Sequence, residues 1–114
     1  MFFGLSETTI EKIGGVFRAH SEVEKAVVYG SRAKGNYRNG SDIDLTLHGS
    51  ALTNKILMDL MVELDDLLLP YTIDLSIFSA LQHPALQDHI VRVGQVFYER
   101  ESFAPALVPG LREP

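Results

Sequence analysis

The chain has 114 residues, a formal net charge of -5, 22% charged and 46% apolar residues, and no cysteine. One domain of ordinary soluble composition follows, and disulfide frameworks and cysteine-ligated zinc are excluded. A broad electrostatic grip on nucleic acid is disfavoured, because it needs a basic face.

Residues from about Ser6 to His20 read as a first helix, with Thr8 and Glu11 at capping-box spacing and an apolar stripe of Ile10, Ile13 and Phe17. Gly14 and Gly15 weaken it, or allow close packing on a sheet. His20 near its end is read as complementing the helix dipole or as solvated. Ala26 to Tyr29 form a short apolar strand that stops at Gly30. There the missing side chain lets backbone N–H groups approach an anion, and Ser31 adds a hydroxyl donor at the start of a helical turn.

Asp42 and Asp44 open the run Asp-Ile-Asp-Leu-Thr-Leu. A period of two points both carboxylates to one face of a strand over Ile43 to His48 and sends Ile43, Leu45 and Leu47 to the core. Like charges on one face repel unless a cation lies between them, and hard carboxylate oxygens suit magnesium. A second helix is expected from about Thr53 to Leu69, with Ile56, Leu57, Leu60, Met61, Leu64, Leu67 and Leu68 apolar and Asp59, Glu63, Asp65 and Asp66 on its wet side. Pro70 stops it. A third strand follows, in which Thr72, Asp74 and Ser76 share one face and Ile73, Leu75 and Ile77 the other. The next helix begins near Pro84, carries Leu86, Ile90 and Val93 inward and ends at Gly94. His83 and His89 lack metal-pair spacing. Val96 to Tyr98 add a short fourth strand, and residues 101–114 read as an irregular tail behind a domain spanning 1–100, either disordered or a docking strip through Phe103, Leu107, Val108 and Leu111.

Three other motifs fail on inspection. Asn36 and Tyr37 occupy the Lys and Ser/Thr positions of a Walker loop; Leu47 and Thr53 occupy the glycine and glutamate positions of an EF-hand; Gly-x-Ser-x-Gly is absent.

Ten residues separate Ser31 from Asp42, giving Gly-Ser, ten residues, Asp-x-Asp. With this motif and the later Asp74, the sequence resembles the minimal nucleotidyltransferases of the DNA polymerase beta-like superfamily. The resemblance implies an α/β (α+β) fold, with a mixed, largely antiparallel-edged sheet of about four strands and helices packed on one face. It implies that Asp42, Asp44 and Asp74 hold magnesium in a two-metal site, that Gly30, Ser31, Arg32 and Ser41 bind the nucleotide, and that ATP is the substrate. Arg32, Lys34 and Arg38 are left as either solvated turn residues or neutralisers of triphosphate charge. It further implies a helical HEPN-type toxin as partner, inactivated by transfer of AMP to a tyrosine hydroxyl. The absence of an Arg-x-x-x-x-His ribonuclease motif makes this chain the antitoxin half. The remaining alternatives are an aminoglycoside-type enzyme that needs a second subunit and a non-catalytic toxin-masking module. No leader, membrane span or direct nucleic-acid contact is expected, so the expected location is cytoplasmic.

Overall fold

The structure, a computed structural model, describes residues 2–38 and 40–100. The elements run α1 (Glu7–Arg18), β1 (Lys25–Tyr29), α2 (Ser31–Lys34), β2 (Ile43–His48), α3 (Asn54–Asp65), β3 (Ile73–Ile77), a single 3-10 turn (Phe78–Ala80), α4 (Pro84–Val93) and β4 (Gln95–Glu99). Four strands form one mixed sheet in the order β3-β2-β1-β4. β1 pairs antiparallel with both β2 and β4, while β2 and β3 are parallel. A parallel pair needs a crossover, and α3 supplies it between β2 and β3.

Alternation along the strands separates two faces. Ala26, Val28, Ile43, Leu45, Leu47 and Leu75 point to the main core, where Ile13 and Phe17 of α1 and Leu60 and Leu64 of α3 cover them. This is the helical layer expected on one face. The fourth helix departs from it, because Ile90 lies against Val27 and Tyr29, the β1 residues of opposite parity. That placement leaves the rest of the second face partly open, and the acids occupy the open part.

Element boundaries differ from the sequence reading in ways that local chemistry explains. Ser6, not Thr8, caps α1: its backbone is extended and its side-chain oxygen accepts the Thr9 N–H at 3.1 Å. α3 begins as expected behind Thr53, whose hydroxyl accepts from the Ile56 N–H, but it ends at Asp65, four residues early. Two aspartates at a helix C-terminus oppose its dipole, and Pro70 disfavours helical geometry at Leu69. Leu68 accordingly turns out to solvent at 87% exposure. His20 is neither solvated nor a dipole partner only; its Nε2 lies 2.8 Å from Glu63 Oε2 and ties the end of α1 to α3. His83 caps α4, its Nδ1 accepting from the Leu86 N–H, with Pro84 in the first turn. The expected tail, 101–114, lies outside the described residues.

Candidate active site

The site is built at one end of the sheet by three strands. Asp44 of β2 is in register with Asp74 of β3 on one side and with Tyr29 of β1 on the other. Side chains of laterally paired residues share a face, so both carboxylates and the phenol project together from the surface that α1 and α3 do not cover. Neighbouring strands stand about 4.8 Å apart, which sets Asp44 and Asp74 side by side. Asp42 precedes the strand by one residue and is exposed.

Gly30 closes the other side. Its φ of +75° and ψ of -150° belong to a region that residues with a Cβ rarely enter. A Cβ there would also lie 2.6 Å from Asp44 Oδ2. Only glycine lets the chain leave β1 and turn into α2 directly beneath that carboxylate. Ser31 then starts α2, whose carbonyl end closes through Gly35 in left-handed conformation. The Gly-Ser turn therefore lies against the Asp44 carboxylate.

Charge is concentrated here without relief. Burial raises the pKa of Asp44, and the charges of Asp74 and Asp42 raise it further. Burial likewise raises Tyr29, with Asp44 and Asp74 adding to it and the adjacent Ser76 hydroxyl offsetting part. Ser76 itself donates to Thr46 Oγ1 at 2.9 Å, forming a polar floor between β2 and β3. Among the described residues, no arginine, lysine or histidine forms an ion pair with any of the three acids. Nor do three His, Asp or Glu side chains meet closely enough to enclose one ion as they stand. Hard carboxylate oxygens with unbalanced negative charge fit a divalent cation such as magnesium, which commonly takes one or two protein carboxylates and completes its shell with water and phosphate.

Two of the residues expected at the nucleotide, Arg32 and Ser41, make structural contacts. Arg32 is 3% exposed. Its guanidinium donates to the carbonyls of Phe3 and Ser41, each at 2.8 Å, and is enclosed by the rings of Tyr37 and Tyr71. These contacts engage all three guanidinium nitrogens with the protein's own carbonyls. The Ser41 hydroxyl accepts from the Arg38 N–H at 2.8 Å and its carbonyl holds Arg32, so this residue braces the loop. Lys34 and Arg38 are exposed. Tyr29 carries no sequence signal of a site role, since its pairing with Asp44 depends on strand register across a connection of 13 residues.

Residues 11–103 match the family described as Polymerase beta, Nucleotidyltransferase. Among solved structures, one similar fold is a toxin-antitoxin with AMP-PNP (TM-score 0.65, 21% identity, covering 82% of this chain and 75% of that one). A second is a tri-AMPylated Shewanella oneidensis HEPN toxin in complex with MNT antitoxin (0.63, 18%, 86% and 76%). A third is the toxin-antitoxin MntA-HepT (0.62, 18%, 85% and 75%). A search of curated proteins finds no match.

Proposed function

The chain belongs to the polymerase beta-like nucleotidyltransferase family, and from that premise we propose that it transfers AMP from ATP to a tyrosine hydroxyl of a helical HEPN-type toxin, as the toxin's antitoxin. The observation that carries the reading is the in-register pair Asp44 and Asp74 with Gly30 folded against the Asp44 carboxylate. Nucleotide and toxin in the structural neighbours support the choice of donor and acceptor.

In this reading the backbone at Gly30 and the Ser31 hydroxyl hold the terminal phosphates of ATP. Asp42, Asp44 and Asp74 would hold magnesium in a two-metal arrangement. Bound magnesium supplies positive charge to the phosphate oxygens and to the departing pyrophosphate. The acceptor oxygen attacks the α-phosphorus in line; the new O–P bond forms as the bridging bond to the β-phosphate breaks, and pyrophosphate leaves. Asp74, exposed at the rim, takes the hydroxyl proton. Tyr29 and the Thr46–Ser76 pair lie beside the acids on the same sheet face.

The test is to incubate the protein with the helical toxin, magnesium and each nucleoside triphosphate, then weigh both chains intact. One or more AMP units on the toxin, lost on Tyr→Phe replacement of the modified toxin residue, is the expected result. Toxin neutralised at unchanged mass would identify a masking module instead.

A further inference from the structure

We infer that Arg32 is a positioning residue that never touches the nucleotide but fixes the spacing between the Gly30–Ser31 turn, the approach to Asp42 and the strand carrying Asp74. The inference rests on the nucleotidyltransferase reading of the site and adds to it the device that holds its parts in place.

Three stretches distant in sequence converge on this one side chain. Through the backbone it is joined to Ser31. Through Nη2 at 2.8 Å and Nε at 3.3 Å it forks onto the Ser41 carbonyl, one residue before Asp42. Through its ring contacts, 5.0 Å from guanidinium carbon to centroid, it lies over Tyr71, three residues before Asp74. Its remaining arm, Nη1, holds the Phe3 carbonyl at 2.8 Å. Tyr37, 5.2 Å away, adds a second aromatic contact, and Gly4 lies close against that ring, since a Cβ on Gly4 would collide with its Cε1 and Cζ.

The loop from Gly35 to Ser41 makes this anchor necessary. Among the described residues its backbone bonds run from Gly35 and Asn36 N–H to the Ser31 carbonyl and from Ser41 N–H to the Arg38 carbonyl, with Arg38 N–H donating to the Ser41 hydroxyl, contacts that are local in sequence. The next tie is Ile43 N–H to the Thr72 carbonyl at 2.9 Å, already within the strand pair. Without Arg32, the Ser41 carbonyl, one residue before Asp42, would lose its side-chain anchor.

The charge is also informative. Among the described residues no carboxylate pairs with Arg32. A buried cation is tolerated only when its donors are satisfied, and carbonyls with two aromatic faces do that here. The planar fork is what reaches Ser41 through two nitrogens at once, and a lysine ammonium, a point charge, cannot reproduce it.

The experiment compares the intact chain with Arg32→Lys, Arg32→Met and Gly4→Ala, the last of which displaces Tyr37 from the far side of the clamp. Amide hydrogen exchange over residues 36–43 and steady-state transfer are measured on each. Expected in both Arg32 variants are exchange faster by about tenfold or more at Ser41 and Ile43 relative to β1, and kcat lower by about 10²-fold, the scale of a 1 Å misplacement, with KM for ATP within about threefold. Gly4→Ala should show the same pattern at smaller amplitude. Wild-type behaviour of Arg32→Lys, beside a large rise of KM in Arg32→Met, would mean that charge on the phosphates is what matters and overturns the inference. Should Arg32 variants not fold, unchanged exchange and kcat in Gly4→Ala overturn it equally. Should the wild type transfer nothing to any acceptor, the functional reading fails separately, and unchanged exchange over residues 36–43 in Arg32→Lys still decides against the clamp.

Discussion

The two ends of one sheet face are built from alternate residues of the same strand and have opposite chemistry. At one end, Asp44 stands between Tyr29 and Asp74, half-buried and crowded with negative charge. At the other, His48 stacks on Phe78, with ring centroids 4.9 Å apart, beside a cleft of about 270 Å³ lined also by Val27, Ile90, Gly94 and Val96. Thr46, fully buried, separates them. Parity puts a side chain on the face; what covers it decides its use. α4 and the 3-10 turn cover the His48 end and stabilise it by apolar contact. At the acid end Ile90 of α4 reaches Tyr29 but Asp74 stays exposed, and there the fold holds charges that oppose one another.

The largest effect should come from breaking the acid end. Asp44→Asn or Asp74→Asn is expected to lower transfer by on the order of 10³-fold, the scale of losing one group that stabilises transition-state charge, with the circular dichroism spectrum unchanged. Rates near wild type in either variant would remove the acids from the chemistry. Gly30→Ala comes next, through the φ of +75° and the 2.6 Å approach to Asp44. It should lower transfer by about 10²-fold and stability by about 1–3 kcal/mol, read from kinetics and denaturant unfolding together. At the covered end, Ile90→Ala should destabilise by about 2–5 kcal/mol while leaving kcat within a few-fold below the unfolding transition. A matching loss of kcat would show that the two ends are not separable. Tyr29→Phe removes one hydroxyl from the floor of the site and should lower kcat by about tenfold or less, since the ring packing on Ile90 is kept.

The smallest effect sharpens the contrast through pH. The raised pKa of Asp44 means that the folded chain binds its proton more tightly than the unfolded chain, so in the metal-free protein this stabilisation is present below the ordinary carboxylate pKa, 3.8, and is lost as pH rises through the raised value. His48 is lowered, first by burial and then by Lys25. Its contribution is present above the ordinary value of 6.5 and is lost as pH falls below it. Thermal unfolding of Asp44→Asn and His48→Gln against pH should therefore differ from wild type in opposite directions: the first gains stability towards neutral pH, the second towards acid.

Much of this was legible in the chain itself. β2 runs from Ile43 to His48 as its alternation predicts, and Pro84 marks the start of α4. Gly30 lies against Asp44 because the antiparallel register pairs Tyr29, the residue before it, with Asp44. Tertiary choices were not legible. Arg32 in Ser-Arg-Ala-Lys gives no local sign that it will be buried, since its partners lie 29 residues before it and 9 after it. His20 meets Glu63 across 43 residues, and no period along either helix encodes that contact. The side of the sheet that α4 chooses depends on which residues of β1 remain uncovered, not on α4 alone. Parallel pairing of β3 with β2 carries the rest, by setting Asp74 opposite Asp44 rather than elsewhere on the same face.

The central claim is that Asp44 and Asp74 form a cation site whose mutual repulsion the bare protein tolerates, and metal-dependent thermal unfolding tests it most directly. Magnesium at saturating concentration should raise the melting temperature of the wild type, because a ligand that binds only the folded chain stabilises it by mass action. Asp44→Asn should melt above the wild type without magnesium, by up to the roughly 1 kcal/mol of a relieved like-charge pair, and should not respond to the ion. A wild type indifferent to magnesium, or an Asp44→Asn variant that melts lower and still responds to it, would contradict the account.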